Sequence, residues 1–479
     1  MKRREFLNTL AAGAAGLAIS PGTFAIESAK TSGTKPPNLV FVFADQWRAQ
    51  ATGYAGDPNA LTPHLDQLAA QSLNFTHAVS GCPVCSPYRA SLLTGQYWQT
   101  HGVFLNDVHL RDDAVSIAEA LVGSGYDTAY IGKWHLEGHG RSSFIPPEHR
   151  QGFQYWRVQE CTHDYNHSKY YADEPVPKEW EGYDAIAQTR EAQQYVRNHA
   201  TDRPFALFLS WGPPHNPYET APESCQKRIT SEKLVLRPNV PEASEKEARR
   251  DLAGYYAHIC ALDDCIGDLL ATLDECRLSE NTVFVFTSDH GDMLFSQGMI
   301  RKQKPYDESL RVPFLLRYPA RLGTKGRNVP TLLNAPDIMP TLLGLCAVPI
   351  PSTVEGKDLS TPLLQGEDPQ VDAALLLCMA PFGEWTRKQG GRECRGIRTL
   401  RYTYVRDLNG PWLLFDNEAD PYQQKNLCNS PENSAIQHQL DDLLQQKLNE
   451  RNDRFLPAEK YIQQFGYTVD KTGTVPYSP

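Results

Sequence analysis

Asn38-Leu39-Val40-Phe41-Val42-Phe43-Ala44 is an almost unbroken apolar run that stops at Asp45-Gln46. A half-buried strand would alternate. A short run without alternation, rich in Val and Phe, fits a strand covered on both faces, as at the centre of a parallel sheet. Open α/β sheets hold ligands at the carboxyl ends of such strands. The arrangement recurs. A strand at 127–131 leads into Gly132-Lys133-Trp134-His135-Leu136, and one at 205–211 into Pro213-Pro214-His215. A third, at 281–287, leads into Ser288-Asp289-His290-Gly291-Asp292. Further strands are expected at 72–78 and 312–318. Helices are expected at 62–70, 185–199 and near 337–345, and Asp112-Asp113 is expected to cap a helix carrying Ile117, Ala118, Leu121 and Val122. The strongest helix spans 244–276, where Leu252, Tyr255, Ile259, Leu262, Ile266, Leu269 and Leu273 recur at spacings of three and four. The pattern predicts an α/β fold: a large, mostly parallel central sheet sandwiched by helices.

The pattern changes near residue 370. Strands at 373–379, 396–405 and 412–415 and an amphipathic helix at 434–451 predict a smaller C-terminal antiparallel sheet with one packed helix. A catalytic domain is thus expected over 38–370, a small subdomain over 371–455 and an extended tail over 456–479.

Between the first strands lies Gly81-Cys82-Pro83-Val84-Cys85-Ser86-Pro87-Tyr88-Arg89-Ala90-Ser91-Leu92-Leu93-Thr94-Gly95. Cys82-x-x-Cys85 alone fits a redox pair or half a zinc site, but no second Cys-x-x-Cys occurs and neither reading requires Arg89 or Leu93-Thr94-Gly95. The frame Cys85-x-Pro87-x-Arg89 followed by Leu93-Thr94-Gly95 resembles the signature of the type I sulfatases, of the alkaline phosphatase superfamily. The resemblance runs from about Asn38 to Leu427. It implies that Cys85 is oxidised to formylglycine by a maturation enzyme. The hydrated aldehyde carries two hydroxyls: one attacks the sulfur of a sulfate ester, and the other then loses its proton and expels sulfate. A plain serine or cysteine would be left as a covalent sulfate ester awaiting water.

The same resemblance assigns the strand-end residues. Asp45 and Gln46 match the first pair of metal ligands, with glutamine where many members have a second aspartate. Asp289 and His290 match the second pair. With position 85 they make an oxygen-rich site suited to Ca²⁺, or to Mg²⁺; histidine is an unusual calcium neighbour, and His290 can also serve by hydrogen bonding. Arg89, one helical turn after Cys85, is expected beside the nucleophile. Lys133 should hold the diol and a sulfate oxygen, and His135 should act as base. His215, in a Pro-His-x-Pro element, should contact sulfate and protonate the leaving oxygen. Lys302 and Lys304 compete for one sulfate-binding role; Lys302 has the better spacing to Tyr306-Asp307-Glu308-Ser309, and Lys304 is expected to face solvent. For the rest of the substrate, the candidates are Asn106-Asp107, the stretch 161–167 and the edge formed by Trp385 with 387–395.

Composition limits the alternatives. With 41% hydrophobic and 22% charged residues the chain is ordinary globular material. Its net charge of −10 argues against a nucleic-acid binder but not against a local cationic pocket. Arg3-Arg4-x-Phe6-Leu7, a short apolar run and small residues near 23–25 resemble a twin-arginine signal over 1–25, followed by a linker at 26–37. That implies the twin-arginine export machinery as a partner and a periplasmic or secreted protein without a membrane span. Of eleven cysteines, Cys260, Cys265 and Cys276 are candidates for pairing, while Cys346 and Cys378 sit in apolar runs. The expected function is a sulfuric ester hydrolase acting on a sulfated carbohydrate. The alternatives are a phosphonate or phosphate ester hydrolase of the same superfamily and an inactive, carbohydrate-binding member.

Overall fold

The strands are, in chain order, Asn38–Asp45 (β1), Leu73–Val79 (β2), Asp127–Lys133 (β3), Tyr155–Gln159 (β4), Lys169–Tyr170 (β5), Lys178–Glu179 (β6), Phe205–Pro214 (β7), Thr282–Ser288 (β8), Phe314–Arg317 (β9) and Arg327–Asn334 (β10). The structure is a computed structural model that describes residues 35–200 and 202–477. Eight of these strands form one sheet in the order β10-β2-β9-β8-β1-β7-β3-β4, and β5 pairs with β6 apart from it. Only the two junctions of β9 are antiparallel.

β1 demonstrates why its sequence does not alternate. Leu39, Phe41 and Phe43 enter the apolar core on one face, and Val40, Val42 and Ala44 enter the core on the other. The helix Glu245–Glu275 packs into the second core through the expected Leu252, Ile259, Ile266 and Leu273. The helices Cys85–Thr94 and Ala335–Leu345 pack into the first.

The order β8-β1-β7-β3 has a direct consequence for the site. All four strands run the same way, so their carboxyl ends emerge at one edge. Neighbouring strands lie ~4.8 Å apart, so residues from 45 to 290 are gathered within about 15 Å.

Several local expectations change. The helix Ile117–Gly123 is capped by Ser116, which exchanges hydrogen bonds with Glu119, and not by Asp112-Asp113. Ser-x-x-Glu was the stronger start signal. β4 and β10 are edge strands that the apolar pattern did not mark. In β10 the register shifts between Val329 and Leu332, where Pro330 has no N–H to donate. The strand expected over 396–405 is two, divided by a turn. Ala374–Cys378 (β11), Cys394–Arg398 (β12), Tyr402–Asp407 (β13) and Gly410–Asp416 (β14) form the antiparallel sheet β11-β12-β13-β14, accompanied by the helix Ser434–Glu450. The tail is not simply extended. It contains the helix Ala458–Phe465, whose Phe465 ring packs 5.7 Å from Phe104. All eleven cysteines are free, so the suggested pairing of Cys260, Cys265 or Cys276 does not occur, and Cys346 and Cys378 are buried. Among the described residues no helix is long and apolar enough to cross a membrane. The expected signal at 1–25 and most of the expected linker lie outside the described residues.

Candidate active site

Cys85 is the first residue of the helix Cys85–Thr94 and is 1% exposed. The Asn106 side chain accepts the Ser86 N–H at 3.1 Å, and the Ser86 hydroxyl donates to the His135 carbonyl at 2.7 Å. The first helical turn is thereby tied to two other segments of the site. Around the Cys85 Sγ stand His290 Nε2 at 3.3 Å, Lys302 Nζ at 3.3 Å, Asp45 Oδ1 at 3.6 Å and Lys133 Nζ at 3.9 Å.

The two aspartates are used asymmetrically. Asp45 Oδ2 takes Lys133 Nζ at 2.6 Å and Arg89 at 3.4 Å, and Asp289 Oδ2 takes Arg89 at 3.1 Å. Their Oδ1 atoms both face His290 Nε2 at 3.5 Å. His290 Nδ1–H donates to the Gly291 carbonyl at 2.9 Å, which leaves Nε2 bare. Gln46 is oriented in the same way. Its Nε2 donates to Asp292 at 2.7 Å, so its Oε1 turns inward, where Lys302 donates to it at 3.2 Å. Asp292 also takes the Tyr218 hydroxyl and was not expected from the sequence. Asp45, Cys85, Asp289 and His290 offer atoms close enough together to hold one metal ion. A hard cation with ligands at 2.3–2.6 Å needs neighbouring ligands about 3.4 Å apart, so the donor spacing fits.

Arg89 lies beside the nucleophile, where it holds the two aspartates rather than the Cys85 sulfur. Its other hydrogen bonds go to the Lys133 carbonyl at 2.8 Å and the Ser210 hydroxyl at 2.7 Å. Gly132 explains how these strands approach so closely: a Cβ there would lie 2.0 Å from the Ser210 carbonyl oxygen.

His135 Nε2 meets Asp107 at 3.3 Å, and Asp107 is clamped by two bonds of 2.8 Å from Arg141. His135 Nδ1 is buried without a partner. Gln46, Asp107 and His135 all have left-handed backbones, with φ of 74°, 61° and 60°. Such strain costs of order 1–3 kcal/mol per residue and collects at functional sites. His215 Nδ1–H donates to the Asn216 carbonyl at 2.8 Å, so its Nε2 accepts from Lys302 at 2.7 Å. The His215 ring stacks on His163 at 4.6 Å. Lys304 does not face solvent. It is buried, and its Nζ donates to the Ile300 carbonyl at 2.8 Å.

Burial and charge set the protonation states. Burial pushes the Cys85 thiol up to about 12, with Asp45 adding to the effect, so it is no thiolate nucleophile. Burial also disfavours the Asp45 carboxylate, but the Lys133 and Lys302 cations beside it outweigh that and hold the group well below its usual range. Burial lowers His135, and it lowers His215 strongly with Lys302 adding to it, so both rings are neutral at pH 7. Burial works against the Lys302 charge, but the Asp45 carboxylate helps to offset it and the amine stays cationic.

A cavity of about 370 Å³ opens over Cys85, with Asp107, Arg141, His163, Glu384 and Tyr477 among its walls. Of the substrate candidates, Asn106-Asp107 and His163 reach it. Trp385 does not, being buried against Trp412 at 6.3 Å, and Arg387 and Arg395 are taken up by Glu393 and Asp453. Arg141 and Tyr477, stacked at 3.6 Å, carried no sequence signal because they come from an irregular loop and the tail.

The family model described as sulfatase matches residues 37–348. This chain belongs to the sulfatase family. A second model, the C-terminal region of N-sulphoglucosamine sulphohydrolase, matches residues 296–450. The sulfatase is 46% identical to an ulvan-active sulfatase of Formosa agariphila, covering 92% of this chain and 87% of that one. It is 33% identical to an endo-4-O-sulfatase of Bacteroides thetaiotaomicron, over 84% and 90% of the two chains. A solved Bacteroides thetaiotaomicron protein of glycosaminoglycan metabolism superposes with a TM-score of 0.80 at 30% identity, covering 90% of this chain and 99% of that one. The sulfatase is accordingly a sulfuric ester hydrolase, with the α/β fold of its family.

Proposed function

We propose that this sulfatase removes sulfate from a sulfated carbohydrate, with Cys85 oxidised to formylglycine and Ca²⁺ or Mg²⁺ held by Asp45, Gln46, Asp289 and His290. The observation that carries the reading is the convergence on Cys85 Sγ of two metal-suited acceptors and two lysines at the floor of a polar cavity. The ion would supply positive charge beside the ester, and the hydrated aldehyde would supply two hydroxyls on one carbon. Relatives named for ulvan and for endo-4-O-sulfate action support a carbohydrate substrate.

The chain's own residues do the rest. Lys133 and Lys302 are placed to take the anionic ester oxygens. With Arg89 they are three fixed cations against two carboxylates, an arrangement that favours an anion before any rearrangement. Lys302 is the cationic member of the pair with His215, and both line the cavity, so Lys302 is the proton donor to the leaving oxygen and His215 orients it. His135 keeps a bare Nδ1, because its Nε2–H is engaged by Asp107, and takes the proton that releases sulfate. Arg3-Arg4-x-Phe6-Leu7 supports export through the twin-arginine route to the periplasm or beyond.

The test is sulfate release from defined sulfated saccharides by protein whose Cys85 peptide shows the formylglycine mass, compared with hydrolysis of nitrophenyl phenylphosphonate. Faster turnover of the phosphonate than of every sulfate ester would overturn the reading. Fractionation of cells expressing the full chain checks export.

A further inference from the structure

We propose that His109, Glu137, His139 and His149 form a second metal site, of zinc type, which fastens the segments carrying Asp107 and His135 to each other. The four residues come from three stretches of chain: the loop after the helix Trp98–His101, the segment after β3, and the short 3₁₀ turn Pro147–His149. One ligand atom from each lies within 4.8 Å of the others. His139 Nδ1 and His149 Nδ1 each stand 2.9 Å from Glu137 Oε1, and His109 Nδ1 stands 3.8 Å from Oε2. The three rings crowd together, with centroids 4.8 to 6.2 Å apart.

Three imidazoles and one carboxylate are a poor set for calcium and a good one for zinc. Tetrahedral zinc with ligands at 2.0–2.2 Å needs them about 3.4 Å apart, so the cluster requires adjustment of about an ångström. The Glu137 side chain is 3% exposed while His139 is 62% exposed, which gives a fixed carboxylate at the base and an open path for the ion. The base is itself held: the Glu137 and Gly138 N–H groups donate to Glu160 at 2.9 and 3.1 Å.

The placement gives the site a purpose. His109 follows Asp107 by two residues, and Glu137 follows His135 by two. An ion linking His109 to Glu137 therefore holds the Asp107–His135 contact from outside the cavity. It is a positioning device and touches no substrate.

The experiment uses tag-free, full-chain protein, stripped with chelator, reloaded with calcium and titrated with Zn²⁺ and then Co²⁺. One equivalent of Zn²⁺ should be retained against dialysis, and Co²⁺ in its place should give the visible absorption of a tetrahedral site. His139→Ala and His149→Ala should each weaken Zn²⁺ at least 10–100-fold, the loss typical of even an indirect partner of a metal. Both should abolish the rise in Tm that Zn²⁺ gives the parent, whereas Asp289→Asn should keep that equivalent. His139 is exposed, so its loss does not endanger folding. Zn²⁺ retained equally by the His139→Ala/His149→Ala double variant, lost on Asp289→Asn instead, or not retained by the parent at all, would overturn the proposal.

Discussion

Arg89, at the edge of the large sheet, and Arg395, in the small one, are both buried against aspartate, but the two pairings differ in what they leave over. Arg395 grips Asp453 through both oxygens, and Asp453 also takes Tyr461, Phe455 and Gln99, so no acceptor remains. Arg89 touches only the Oδ2 atoms of Asp45 and Asp289; Asp45 Oδ1 is left facing the bare His290 nitrogen and the Cys85 sulfur, and Asp289 Oδ1, which accepts only the Gln46 N–H at 3.0 Å, faces the same nitrogen. The first arrangement is closed and structural. The second withholds part of its hydrogen-bonding capacity, which a ligand must then satisfy. A fold tolerates such incompleteness only where binding repairs it.

The comparison can be broken most directly at its open end. Cys85→Ala should lower kcat/KM by on the order of 10⁴-fold or more while leaving near-UV circular dichroism unchanged; substantial residual sulfate release would remove Cys85 from the reaction. His135→Ala and Lys302→Ala should each lower kcat by about 10²–10⁴-fold. At the closed end the effect moves from rate to stability. Arg395→Met leaves the Asp453 carboxylate buried and unpaired and should cost about 3–5 kcal/mol in denaturant unfolding, with turnover per folded molecule retained. Lost turnover in a fully folded Arg395→Met protein would mean that the two pairings are not so distinct.

The smallest effects are in pH dependence. Burial opposes ionisation of Asp453, but Arg395 outweighs it and holds the carboxyl at about 2. Its contribution to stability is therefore complete above the unfolded value of ~3.9 and is lost as pH falls through about 2. Asp453→Asn should flatten that part of the acid unfolding curve. In the site, burial lowers His135. The acid limb of kcat/KM should then fall below the ordinary histidine value of ~6.5. Asp107→Asn removes the bond that favours the protonated ring and should move that limb to still lower pH.

The large sheet was legible because β1, β7 and β8 are covered on both faces and so carry unbroken apolar runs. The site followed, since its residues stand where those runs end. β4 and β10 were not legible: as edge strands they are exposed on one side and their sequences are mixed. The 399–401 turn was hidden inside a stretch whose Ile, Tyr, Thr and Val residues favour strand throughout. Asp45, Lys133, His135, His215, Asp289 and His290 come together from their strand ends, and they are joined by Cys85 from a helix start and Lys302 from the loop after β8. Arg141, Asp292 and Tyr477 were missed because each acts through a partner distant in sequence, and local pattern carries no record of such partners. The same limit misplaced the guess about Trp385 and Arg387, whose aromatic and basic character is consumed by Trp412 and Glu393.

Cys85 lies beneath a cavity wide enough for a sulfated sugar ring but far too narrow for another macromolecule, and almost none of its surface is exposed. Any catalyst that rewrites this side chain must reach it before β1, β3, β7 and β8 have come together. Under the proposed oxidation of Cys85, maturation would have to come before folding, and a molecule that closed early would keep an ordinary thiol out of reach.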